Sequence, residues 1–197
     1  QEAHEIHREV GNRRFEGVSL GNLGSLFVEQ NQLPEALAHF QEAIAVLREV
    51  GARNIEGFFV GNLGELFARQ GDDDAAQGYL ETAITISDEA SSYFGGCHRG
   101  WLAVINAKKG LLDTARVLVA EAESLLRAVN MVEYGKLLCK KVEVEHLAGD
   151  SGAAAIALNE AEAVAAQVGA GPESGLAVAL AKARALPKEP QEPIGSQ

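Results

Sequence analysis

Gly21-Asn22-Leu23-Gly24 returns letter for letter as Gly61-Asn62-Leu63-Gly64, 40 residues later. Around the two copies, Val10-Gly11 matches Val50-Gly51, Glu16-Gly17 matches Glu56-Gly57, Leu26-Phe27 matches Leu66-Phe67 and Ala43-Ile44 matches Ala83-Ile84. A chain built this way is not organised around one central core. Each copy is a supersecondary unit that buries its apolar face against its neighbours. Weaker copies follow at a step of 39: Gly71, Gly110 and Gly149, then Ala76, Ala115 and Ala154, then Ala83, Ala122 and Ala161. The opening residues also fit the register, because Arg8-Glu9-Val10-Gly11 copies Arg48-Glu49-Val50-Gly51. Residues 1–10 are therefore expected to be the end of a truncated preceding repeat, and the chain a fragment of a longer array.

Each unit reads as two helices. Val18, Leu20, Leu23, Leu26 and Phe27 recur at helical spacing over 16–29, with Asn31-Gln32 as the break. Pro34 sits in a first helical turn, where its missing N–H costs nothing, and Leu37, Phe40, Ile44 and Leu47 continue a second helix to Val50. Gly71 marks the next turn, with Asp72 or Asp73 as the N-cap. The repeats are placed at about 11–50, 51–90, 91–130 and 131–170, with a capping helix over 172–186. The tail 187–197, with Pro187, Pro190 and Pro193, is expected to be disordered.

Composition narrows the function classes. A net charge of −11 argues against an electrostatic binder of nucleic acid or of anionic membranes. No apolar run is long enough to span a bilayer. Two cysteines, Cys97 and Cys139, are too few for a disulfide scaffold and fit a reducing compartment, so a cytoplasmic location is expected. His4 and His7 lie three apart with no further ligand nearby, so neither a metal nor a cofactor is expected. No Ser/His/Asp set, carboxylate pair or phosphate loop stands out, and no catalysis is expected.

The helix pair, with its small residues at fixed places, resembles the tetratricopeptide repeat. Leu23, Gly24, Phe27, Ala36, Phe40 and Ala43 fall on the family's motif, as do Leu63, Gly64, Phe67, Ala76, Leu80 and Ala83. The third unit keeps Ala103, Ala115 and Ala122 but has Asn106 where an aromatic is expected, and the fourth has Val142 at its first small position. The period exceeds the roughly 34 residues usual for the family. With the Gly-Asn-Leu-Gly signature it resembles the long-helix subclass of kinesin light chains and Leu-Gly-Asn-enriched proteins. The resemblance implies an all-α fold, a right-handed α-α superhelical solenoid of helix pairs. It also implies a non-enzymatic scaffold that holds a peptide or a partner helix in a concave groove lined by the first helices. A regulatory or oligomerisation domain acting in cis within a larger kinase, cyclase or transcription regulator is the alternative.

Carrying the register over places Gly21, Asn22, Phe58, Gly61, Asn62, Arg69, Trp101, Lys108, Lys136 and Lys140 on the groove face, with Arg99 beside it. Asn is unfavourable in mid-helix, so a repeated one calls for a reason. Its amide can grip a peptide backbone of any sequence, or it can bond a neighbouring loop carbonyl and serve packing. Each mid-helix Gly costs about 0.5–1 kcal/mol relative to Ala. Gly24 and Gly64 are read as packing within a repeat, while Gly21 and Gly61 admit either a ligand or a neighbouring helix. Arg99, Lys108, Lys136 and Lys140 form a basic cluster suited to an acidic segment, or simply a solvated face. Trp101 among them is either an interface anchor or a core residue. An uncovered first repeat also leads us to expect a homodimer through the repeat ends.

Overall fold

A computed structural model describes residues 2–90 and 93–186. The described residues form nine helices and no strand: α1 (Glu2–Glu29), α2 (Leu33–Glu49), α3 (Arg53–Gln70), α4 (Asp73–Glu89), α5 (Phe94–Lys108), α6 (Leu112–Leu126), α7 (Met131–Leu147), α8 (Ser151–Gln167) and α9 (Gly175–Arg184). They divide into two compact units, 1–98 and 99–197, with the boundary inside α5.

The turns follow from local chemistry. Gly71, Gly110 and Gly149 end α3, α5 and α7 with φ of +81°, +77° and +74°, a left-handed conformation that glycine adopts without a Cβ clash. Asn31 takes the same position after α1 at φ +59°. Asp72, not Asp73, caps α4 by accepting from the Ala75 amide at 3.0 Å. Asp150 and Asn130 cap α8 and α7 in the same way. The last helix starts at Gly175 rather than near Pro172, because Ser174 accepts the Ala177 amide at 3.2 Å and fixes the N-cap there.

One expectation is corrected. The sequence register places a helix end at Val10-Gly11, whereas α1 runs unbroken from Glu2. A glycine permits a turn but does not compel one. Gly51 turns at φ +68° because α3 then packs back on α2. Continuing α1 through Gly11 adds one hydrogen bond per residue at only the glycine's propensity cost. Gln1 and the tail 187–197 lie outside the described residues.

In the first unit α1 pairs with α2, α3 with α4, and α2 packs on α3. Ala36, Phe40, Ala43, Ile44 and Leu47 of α2 share one core with Phe59, Val60, Leu63 and Leu66 of α3. In the second unit Ala103, Val104 and Ala107 of α5 meet Ala115 and Val119 of α6 and Val144 of α7, while α7 pairs with α8 and α9. Of the alanines at the repeat period, Ala36, Ala43, Ala76, Ala83, Ala115, Ala122 and Ala161 are fully buried, which lets the helices approach closely, while Ala154 is half-buried.

Candidate functional site

The glycine stripe carries the packing of one first helix on the next. Gly21 lies under the Phe59 ring and Gly61 under the His98 ring, each so close that an added Cβ would overlap it. Both glycines are buried. The choice left open in sequence is thereby decided: a neighbouring helix, not a ligand, occupies the space above Gly21 and Gly61. Neither is available to line a groove. Gly100 receives Leu137 in the same manner. Gly24 and Gly64 receive Phe40 and Leu80 of their own repeat, and Gly17 and Gly57 receive Leu47 and Ile86.

The two asparagines behave differently from the glycines beside them. Asn22 is exposed and Asn62 half-buried, one residue further round the helix. Among the described residues neither side-chain amide has a hydrogen-bond partner, so the packing role through a loop carbonyl is not seen. Phe58 is half-buried beside Asn62. Its ring lies 5.0 Å from Phe59 and 4.5 Å from Phe94, which in turn meets Tyr93 at 4.5 Å. Arg69 is exposed and bonds Glu65, one turn earlier, at 2.6 Å. On the first unit Asn22, Phe58, Asn62, Glu65 and Arg69 therefore share the outward face of α1 and α3.

On the second unit the basic cluster separates. Arg99 turns to Glu121 of α6 at 2.9 Å and is only 12% exposed, so it braces a helix pair rather than facing outward. This corrects its placement beside the groove: a carboxylate on the second helix of its own repeat holds it. Lys140 places Nζ 3.3 Å from the centre of the Trp101 ring, a cation–π contact. It also lies 3.5 Å from Glu143. Lys136 bonds Glu133 at 2.8 Å, and Lys108 is exposed at the end of α5. Trp101 is half-buried rather than a core residue. Lys140 of α7 and Trp101 of α5 therefore come together, while Lys136, one turn earlier on α7, lies beside Gly175.

Sequence reasoning missed the ion-pair clamps. Arg53 bridges Glu56 at 3.0 Å and Glu89 at 3.2 Å, while Arg48 bonds the other oxygen of Glu56 at 2.9 Å. Arg13 repeats this bridge 40 residues earlier with Glu16 and Glu49. The signal was present, since Arg13/Arg53, Glu16/Glu56 and Glu49/Glu89 all recur at the repeat spacing. In the fourth repeat Tyr134 replaces the buried carboxylate. It donates to Glu160 at 2.6 Å and accepts from Arg127 at 3.0 Å. Burial, then the bond to Glu160, pushes the Tyr134 hydroxyl up to about 12. The Tyr134 hydrogen bond, and then Arg127, hold the Glu160 carboxyl below its ordinary value. Burial pushes the Cys139 thiol up to about 11, so it stays protonated and unreactive at neutral pH.

Among the described residues no cluster of three His, Cys, Asp or Glu side chains is placed to hold a metal ion. No described helix is long and apolar enough to cross a membrane.

Comparison with known proteins agrees with this architecture. Tetratricopeptide-repeat profiles match residues 1–49 and 60–92. No curated protein matches the sequence. The crystal structure of BtubC (BKLC) from P. vanneervenii is similar with a TM-score of 0.62 and 16% identity, over 79% of this chain and 65% of that one. The chain thus spans just under two thirds of that structure's length. A candidate kinesin light chain from Podosopora anserina with nearly identical TPR-like repeats is similar with a TM-score of 0.56 and 15% identity, over 84% of this chain and 83% of that one. At these identities the likeness is one of fold. Residues 1–49 and 60–92 thus match tetratricopeptide repeats in sequence, the chain is similar to such repeat proteins in fold along most of its length, and repeats of this kind generally mediate protein–protein interaction.

Proposed function

We propose that the outward face of the first helices binds an extended peptide or a partner helix, without catalysis, in the cytoplasm. One observation carries this reading. Asn22 and Asn62 stand at the same repeat position 40 residues apart, and among the described residues their amides have no hydrogen-bond partner. A solvent-facing amide in mid-helix does nothing for helix stability, but two at a regular spacing can each give a donor and an acceptor to a peptide backbone. Phe58 and Arg69 flank them and would read side chains. On the second unit Trp101, Lys140, Lys136 and Lys108 favour an acidic segment, with the Trp101 ring as its apolar anchor. Gly21, Gly61 and Arg99 take no part in this reading.

The test begins with random peptides displayed on phage and selected on the whole chain. Affinity of a selected peptide is then measured by fluorescence anisotropy for wild type, Asn22→Ala, Asn62→Ala and the double variant. Each lost amide is worth about 1 kcal/mol, so the double variant should bind roughly 10–30-fold more weakly. Alanine is the better helix former, so the fold should not suffer. Selected peptides that bind the double variant as tightly as wild type would defeat the proposal. For the second unit, Lys136→Glu with Lys140→Glu should abolish binding of a glutamate-rich peptide.

A further inference from the structure

One repeat position reads Asn22, Asn62, Trp101 and Lys140, at steps of 40, 39 and 39. Through it the first unit offers its two amides. In the second unit the same position closes on itself, because its two side chains meet. Lys140 reaches from α7 to α5. Its stem passes 3.8 Å from where a Cβ of Gly100 would stand, and its ammonium rests 3.3 Å from the centre of the Trp101 ring. A longer side chain at position 100 would stand in the path of that stem. Glu143, one turn further along α7, lies 3.5 Å from the ammonium. The Lys140 side chain is only 23% exposed, although a surface lysine ordinarily keeps its charged head in water.

We propose that Lys140 is a lid on Trp101, and that a carboxylate of the partner draws it off, opening the ring to an apolar side chain beside that carboxylate. The inference rests on the assignment of Trp101 and Lys140 to the binding face and adds the order in which they act. Cation–π attraction holds the ammonium on the ring. An apolar side chain cannot reach the face that the ammonium covers, so it must first displace the lysine. An incoming ammonium gains nothing, because it would replace one already tethered in place. A carboxylate does gain. It takes the place of Glu143 at Nζ and exchanges the ring contact for a charge-assisted hydrogen bond. The second unit thereby selects a segment with an acidic residue next to an apolar one and discriminates against the apolar residue alone. What the cation–π contact is worth bounds that discrimination at about 2–30-fold.

Trp101 is the chain's only tryptophan, so its fluorescence reads the lid directly. In the free chain acrylamide, an uncharged quencher, should quench Lys140→Ala more strongly than wild type. Lys182→Ala, on the exposed side of α9, should quench as wild type does. A capped peptide with one leucine among alanines, titrated by the same emission, should bind Lys140→Ala about 2–30-fold more tightly than wild type. Its copy with glutamate beside the leucine should bind wild type more tightly than the leucine peptide does, and lose that advantage on Lys140→Ala. On Glu143→Gln, where the competing carboxylate is gone, the glutamate peptide should bind more tightly still. Equal quenching of wild type and Lys140→Ala, a leucine peptide that binds both alike or neither, or a glutamate peptide weakened by Glu143→Gln would each overturn the proposal. None of these results touches the Asn22 and Asn62 variants, whose loss of affinity tests the binding face on its own.

Discussion

Alanine in place of glycine should have opposite signs at two glycines that both lie in mid-helix. Gly78 is exposed on α4 with nothing within 4 Å of where a Cβ would stand. Ala there should stabilise the chain by about 0.5–1 kcal/mol, the difference in helix propensity. Gly61 is in α3, and its Cβ would enter the His98 ring, which is itself buried. The ring cannot swing into solvent, so overpacking should cost about 1–3 kcal/mol and outweigh the propensity gain. The net effect is a loss of roughly 0.5–2 kcal/mol. Urea unfolding followed by circular dichroism gives both numbers, with the midpoint rising for Gly78→Ala and falling for Gly61→Ala. A cycle with His98→Ala isolates the contact. In that background Gly61→Ala should be neutral or stabilising, a coupling above about 0.5 kcal/mol. A stabilising Gly61→Ala in the wild-type chain would refute the packing assigned to the stripe.

Further expectations follow from other contacts. Glu56 is fully buried between Arg48 and Arg53, whose side chains are half in water. Removing both arginines as Arg48→Met/Arg53→Met strands a buried carboxylate and should cost about 3–5 kcal/mol. Glu56→Gln lets the arginines return to water and should cost about 1–3 kcal/mol by the same urea assay. Asn31→Gly relieves a left-handed non-glycine residue and should stabilise by about 0.5–1 kcal/mol, seen as a rise in Tm. The Glu160 carboxyl has a folded pKa below its ordinary 4.5. Its stabilisation is therefore present above that value and lost as pH falls through the lower, folded one. Acid titrations of wild type and Tyr134→Phe should differ in stability above pH 4.5 and converge below it. Cys97 should react with a thiol reagent readily and Cys139 only as the chain unfolds.

The helix turns were legible in sequence because their causes are local. A glycine after a periodic run, followed by Asp, needs only its own neighbours to end one helix and cap the next, as Gly71 and Asp72 do. The packing partners of the glycine stripe were not legible, because the ring over Gly21 comes from Phe59 and the one over Gly61 from His98, on the following repeat. The series Phe59, His98, Leu137, Leu176 recurs every 39 residues and was the available signal. The register identifies which residues share a face. It does not tell whether a neighbouring helix or solvent lies above them, which is why Asn22 and buried Gly21 looked equivalent. Nor did it give the direction of Arg99, whose long side chain reaches Glu121 from a position beside the outward face.

The central claim is that Asn22 and Asn62 grip a peptide backbone. The most direct measurement is the side-chain amide resonances of the two asparagines in a ¹⁵N-labelled chain, titrated with a peptide selected on it. Both pairs should shift together and saturate at the same peptide concentration, with the amides of α2 and α4 largely unmoved. Shifts confined to α2 and α4, with the Asn22 and Asn62 amides unchanged at saturation, would contradict it.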